Sequence, residues 1–417
     1  MAPSIDISKT NFTLIIGYQT GRMAKKKVDE ARQLISQMIS PNHQEIDPTK
    51  EITFTSGGTE SNYLAMYSAI SLYTDWVSSK SQRENDPSEL SHKNIPHVIT
   101  TNIEHVATDL PLRRWEKEGK IEVSFVPVEK SNGRVDVDKL MTYIQNNTCL
   151  VSVMCANNET GVIQPVPEIT KKLKIVNEER KTNDLFPILS HSDAAQVFGK
   201  VPIEISDSFS LDFLSICGHK FYGPRIGALY HRNATCSLYP LFLGGGQEFG
   251  RRSGTENTPM IVGLGEAARQ VYHRIDKDQG CLQRIRNSLE DKLCEKFGEH
   301  VKINFPRKDD LIADREYRLP NTTSVSFQFE SAKNHFTGKD ILAACDGKLE
   351  ASTASACHTE TSNTHCGSPI LIASGISPER AKCTLRLSVG RYTRLEKDID
   401  VAVTILWNAY EKLCKIT

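Results

Sequence analysis

A lysine stands in an unusual setting in the run Ser215-Ile216-Cys217-Gly218-His219-Lys220-Phe221-Tyr222-Gly223-Pro224, just after an apolar stretch that reads as a strand and just before a Gly-Pro turn. An amine crowded by glycine, histidine and aromatic neighbours suits Schiff-base chemistry with a carbonyl group, although a lysine beside a turn also serves as an ordinary solvated charge. A second candidate is Asp193, in His191-Ser192-Asp193-Ala194-Ala195-Gln196, at the carboxyl end of another apolar run. Sites in open parallel sheets form beyond the carboxyl ends of strands. A carboxylate there can hold the ring nitrogen of an aromatic cofactor, or it can simply cap a helix. Third, Ser56-Gly57-Gly58-Thr59 joins a short strand to a helix. Glycines at such a junction let backbone N–H groups approach a phosphate, and the helix start favours an anion. No Gly-Lys-Ser/Thr follows, so the turn is not a nucleotide-binding P-loop.

The elements that must position these residues are legible from periodicity. Residues 22–39 place Val28, Ala31, Leu34, Ile35 and Met38 at helical spacing. Short β-like runs at 52–55, 97–101, 121–127, 150–156, 188–193, 213–217 and 226–231 alternate with helical stretches. That alternation predicts an α/β fold with a largely parallel sheet covered by helices. Residues 76–95 are polar, without apolar periodicity, and read as a surface insertion. From Thr258 the pattern changes to a long helix carrying Met260, Ile261, Leu264, Ala267 and Ala268, followed by strands near 322–327 and 384–389 and a helix over 394–415. The expected organisation is a segment 1–20 of unusual composition, a large domain over 21–257, and a smaller α+β domain over 258–417.

Taken together and in order, Ser56-Gly57-Gly58-Thr59-Glu60-Ser61-Asn62, Glu104-His105, Ala156-Asn157-Asn158-Glu159-Thr160-Gly161, Asp193-Ala194-Ala195-Gln196 and Gly218-His219-Lys220 resemble the cysteine desulfurase and selenocysteine lyase family. Its members are pyridoxal-phosphate enzymes of fold type I, with a seven-stranded, mostly parallel sheet in the large domain. The resemblance runs from about residue 20 to the end. The segments Phe221–Tyr230 and Gly244-Gly245-Gly246-Gln247-Glu248 look most like the selenocysteine lyase branch.

The resemblance implies roles position by position. Lys220 would hold the cofactor and shuttle the α-proton, His105 would lie against the ring, Asp193 would pair with the ring nitrogen, and Gln196 with the phenolic oxygen. Gly58, Thr59 and His219 would hold the phosphate, joined by Cys217, where the family usually has serine. A thiol is a weaker donor than a hydroxyl. Thr255 matches the residue that reaches the phosphate of a neighbouring subunit, so a homodimer with shared sites is implied. Arg386, in Leu385-Arg386-Leu387-Ser388-Val389-Gly390-Arg391, matches the arginine that binds the substrate carboxylate, with Asn158 in the same polar corner. Cys357, in Ala354-Ser355-Ala356-Cys357-His358, matches the catalytic cysteine on its polar loop.

The activity implied is conversion of L-selenocysteine to L-alanine with release of selenium to a reductant or acceptor protein. A cysteine desulfurase and an inactive cofactor-binding homologue are the alternatives. The last is motivated by the opening residues, which lack the family's Tyr-x-Asp-Asn-Ala-Thr-Thr-Pro-like segment.

Bulk properties agree with a small-molecule enzyme. Across 417 residues, 39% are hydrophobic and 24% charged, with a formal net charge of zero, so no polyelectrolyte footprint for nucleic acid is present. Eleven cysteines occur singly with no CxxC pair, which speaks for a reducing compartment and against a zinc ribbon. The apolar patch Phe12–Ile16 is too short to span a membrane, and the start is too poor in arginine for a mitochondrial presequence. The cytosol is the expected location.

Overall fold

Seven short runs, most of them buried on both faces, assemble into one sheet. The computed structural model describes residues 19–41, 46–84, 95–206, 209–233, 237–309, 311–329, 336–353 and 367–415. The strands are β1 (Ile52–Thr55), β2 (His97–Thr101), β3 (Glu122–Val126), β4 (Thr148–Ser152), β5 (Leu189–Asp193), β6 (Phe213–Cys217) and β7 (Gly227–His231). Their order is β1-β7-β6-β5-β4-β2-β3. The pairs from β6 through β3 are parallel, and β7 runs antiparallel to both β6 and β1. Every residue of β2, β4, β5, β6 and β7 is buried, whereas edge strand β3 opens with exposed Glu122.

Helix α1 (Gln19–Ile39) turns Ala24, Val28, Ala31, Ile35, Met38 and Ile39 inward. Helix α2 (Gly58–Glu84) starts at the glycine turn after β1, and α3 (Val106–Lys117) follows β2. Residues 76–84, expected to begin a surface insertion, instead continue α2. Its buried stripe Ala65, Ala69, Tyr73, Val77 and Ser81 recurs every fourth residue, and Tyr73 and Trp76 pack edge-on against Phe186. Residues 85–94 of that expected insertion lie outside the described residues.

The long helix α4 (Thr258–Phe297) belongs to two apolar cores. Its first half, with Ile261, Leu264, Ala268 and Val271, packs into the core of the seven-stranded sheet. Its crossing with α1 is so close that a Cβ on Gly265 would stand 2.7 Å from the Cβ of Ala31. Its second half, with Leu282, Ile285, Leu289, Leu293 and Phe297, packs into a second core. That core also contains α5 (Lys397–Cys414) and an antiparallel sheet ordered β10-β11-β9-β8: β8 (Val301–Ile303), β9 (Thr322–Phe327), β10 (Ser352–Thr353) and β11 (Thr384–Ser388).

Near the junction, Arg318 pairs in bidentate fashion with Glu290 (2.7 and 2.8 Å), and Asp314 bridges Arg318 and Arg286. All four are buried. Their donors and acceptors are matched, which buried charges need if they are not to cost several kcal/mol. Among the described residues, no helix is long and apolar enough to cross a membrane.

Candidate active site

The carboxyl ends of the central strands open on a cavity of about 370 Å³. Asp193 closes β5 at its edge, and two donors fix its carboxylate: Asn62 Nδ2 to Oδ2 (2.7 Å) and the Ala195 N–H to Oδ1 (2.9 Å). Asn62 sits on α2 one helical turn after Gly58, so the helix that presents the glycine turn also braces the carboxylate. Behind Asp193, His191 accepts or donates to Ser152 (2.8 Å) and Ser215 (3.0 Å) within the sheet. Burial pushes its ionisation down to about 4, against the pull of Asp193, and it stays neutral near pH 7.

His105 caps the start of α3, its Nδ1 accepting from the Ala107 N–H (3.2 Å). That bond assigns the proton of the neutral ring to Nε2. The preceding residue, Glu104, is buried and accepts from the Thr101 hydroxyl (2.6 Å) and the Met154 N–H (3.0 Å). Burial raises its carboxyl to about 8 despite those bonds, with Asp193 adding to the rise.

β6 delivers Cys217, and the following 3-10 turn, Gly218–Phe221, delivers His219 and Lys220. Gly218 is obligatory there, since a Cβ would lie 2.7 Å from the Pro224 carbonyl oxygen. Lys220 lines the cavity but is exposed. The crowding expected from its aromatic neighbours is missing because Phe221 points into the core against Phe198 and Tyr222, held at φ 67°, turns outward. The Cys217 thiol lies 3.4 Å from His219 Nδ1.

The run 157–161 folds as a tight Asx turn. Asn157 Oδ1 accepts the N–H groups of Glu159 (2.8 Å) and Thr160 (2.9 Å), while its amide donates to the Ile103 carbonyl (2.9 Å). This brings Asn158 and Glu159 to the cavity wall. Arg386, on β11 of the smaller sheet, reaches the same wall and donates through Nη1 to the Asn158 carbonyl (2.6 Å).

Gly58, Thr59, His105, Asn158, Asp193, Gln196, Cys217, His219, Lys220 and Arg386 therefore share one cavity. Thr255 does not. It lines a separate cavity of about 480 Å³ beside Arg32, Gln247 and Glu248. Cys357 and its loop lie outside the described residues. Asn62, Glu104 and Glu159 went unassigned in the sequence, although each sits inside a motif quoted above. The one available signal was spacing: Asn62 is four residues beyond Gly58, on the same helical face.

A family model described as aminotransferase class-V matches residues 85–401. The chain belongs to the class-V aminotransferase family. Within it, a selenocysteine lyase from Xenopus tropicalis is 40% identical over 400 residues, covering 95% of this chain and 86% of the relative. A cysteine desulfurase IscS from Rickettsia massiliae is 36% identical, covering 95% and 83%. Among solved structures, a NifS-like protein superposes with a TM-score of 0.75 at 27% identity, covering 96% of this chain and 92% of that one. A class-V aminotransferase architecture accounts for the mixed seven-stranded sheet with the site at its carboxyl end.

Proposed function

We propose that the protein is a pyridoxal-phosphate-dependent lyase that cleaves the Cβ–Se bond of L-selenocysteine, yielding L-alanine and zero-valent selenium, which an acceptor protein takes up or a thiol reductant converts to selenide. The observation that carries this reading is the shared cavity of Lys220, braced Asp193 and Arg386. The 40% identity to selenocysteine lyases over 95% of the chain supports the choice of selenium.

The residues fit the cofactor. Asp193, held by two donors, suits a ring nitrogen that must stay charged, and the opening N–H groups of the 27-residue α2 suit a phosphate, helped by Thr59, His219 and Cys217. Gln196 would serve the phenolic oxygen, His105 would lie against the ring, and Lys220 would anchor the group. Bound there, pyridoxal phosphate supplies the electron sink that tolerates negative charge at the substrate Cα.

The chain's own groups do the rest. Arg386, steadied by the Asn158 carbonyl, pairs with the substrate carboxylate and so fixes which bond at Cα faces Lys220. Lys220 Nζ takes the α-proton and later returns one. The Cys357 thiolate attacks the substrate selenium, and the Cβ–Se bond breaks with its electron pair moving to Cβ. Protonation there gives alanine, and the selenium stays on the cysteine as a perselenide. A free thiol ionises near pH 8.5 and a selenol lower, so near pH 7 cysteine and selenocysteine enter the site in different protonation states.

A second copy of the chain brings its Thr255 to the phosphate end, which is supported by Thr255 lying away from its own cavity. Eleven single cysteines with no CxxC pair support a cytosolic location.

The test is an absorbance scan of purified protein, followed by addition of L-selenocysteine or L-cysteine with alanine quantified. A visible band from lysine-bound cofactor, absent in Lys220→Ala, and much faster alanine from selenocysteine are expected. Equal alanine from cysteine moves the assignment to a cysteine desulfurase. A band without alanine moves it to an inactive homologue, and no band overturns it.

A further inference from the structure

One buried acid in the cavity wall has no part in that chemistry. Glu159 is 8% exposed, lines the cavity, and follows Asn158 in the Asx turn that grips Arg386. Its Oε2 accepts from the hydroxyl of Ser368 (2.5 Å), the residue that caps the helix Pro369–Ala373. A carboxylate placed next to the arginine that must bind a carboxylate is chemically awkward, because an ionised Glu159 competes with the substrate for the same positive charge.

We propose that Glu159 is a positioning residue for substrate recognition: turned to Ser368 and carrying its proton, it leaves the charge of Arg386 to the incoming carboxylate, and on ionising it weakens that binding. The inference rests on the assignment of Arg386 to the substrate carboxylate.

The surroundings agree. Other ionisable groups share the cavity: His105 at the head of α3, Asp193 on β5, and Cys217, His219, Lys220 and Arg225 on and after β6. Arg386 on β11 is the charge that acts on Glu159. Burial raises the Glu159 carboxyl to about 7, the Ser368 hydroxyl and Arg386 pulling the other way. The acid is therefore neutral just below neutrality and ionises just above it. Bound substrate carboxylate, a second negative charge, raises it further, so binding and proton uptake are linked.

The test uses propionate, a carboxylate without the amine, titrated calorimetrically into the cofactor-loaded protein. Wild type is expected to bind about tenfold more weakly at about pH 8.5 than at about pH 6, as one pKa unit of coupling implies. Glu159→Gln keeps an acceptor for Ser368 and cannot ionise, so its affinity stays at the low-pH value across the range. Ser368→Ala removes a bond that favours the ionised form, and its loss of affinity moves to higher pH. Glu159→Gln that retains the wild-type pH dependence, or that binds weakly at both ends, overturns the inference. Wild-type binding unaffected by Arg386→Ala, or no binding at all, overturns the assignment of Arg386 and this inference with it. A Glu159→Gln profile unlike wild type, with Arg386→Ala abolishing binding, supports both.

Discussion

The Cys217 thiol is half of a small packing unit: its Cβ and Sγ are the atoms a side chain on Gly58 would meet, at 3.4 and 3.5 Å. Burial raises its ionisation, so near pH 7 it stays an S–H, a poor donor to a phosphate oxygen. Serine restores a full hydroxyl in a slightly smaller volume. Cys217→Ser is expected to tighten cofactor binding roughly threefold to tenfold, the worth of one net hydrogen bond of about 0.5–1.5 kcal/mol. Titration of apo-protein with pyridoxal phosphate measures it, and weaker binding would show that the thiol is packed rather than used. Cys155, buried beside Ser192 (3.0 Å), is likewise pushed up by burial, to about 12.

At the scale of elements, β7 shows how one glycine joins sheet and site. Gly227 pairs with Thr55 of β1, and a Cβ there would lie 2.6 Å from the Gly57 backbone carbon and 2.7 Å from Thr55 Oγ1. Gly227→Ala must push β7 away from the glycine turn that opens α2. The expected cost is about 1–3 kcal/mol in urea unfolding, as for other overpacked positions, together with weaker cofactor retention. Unchanged stability with unchanged cofactor binding would mean the turn moves freely.

The direction of β7 was open to inference from sequence. Only residues 218–226 separate it from β6, too few for the crossover a parallel neighbour needs. The far end of α2 was harder to see. Its inward positions beyond Met66 include Ala69, Tyr73, Val77 and Ser81, and Ser78 and Ser79 hide their hydroxyls by donating to the carbonyls of Thr74 (2.9 Å) and Asp75 (2.8 Å). A polar outer face with a stripe one residue wide leaves little apolar periodicity to read. The site was more legible than the helix because its residues cluster in short local motifs. Thr255 is the exception: it lies away from the Lys220 cavity of its own chain.

That exception sets the problem for the whole molecule. Phe242, Leu243 and Phe249 are 56%, 89% and 55% exposed around the glycine-rich run that leads to Thr255. The base of this run is rigid: Glu248, itself buried, forms an ion pair with Arg32 of α1 and accepts from the Phe54 N–H of β1 (2.8 Å). A segment fixed at its base and apolar at its tip suits an interface between copies. If the partner's Thr255 completes each phosphate site, Lys220→Ala and Thr255→Ala chains must complement each other. A mixed dimer contains one site with Lys220 from the second variant and Thr255 from the first, hence one intact site. Each variant alone has none. Refolding the two together is therefore expected to restore tight cofactor binding and alanine release that neither shows alone. Absence of recovery in dimers proven to be mixed would assign Thr255 to its own chain, and the open side of the Lys220 cavity would need another explanation.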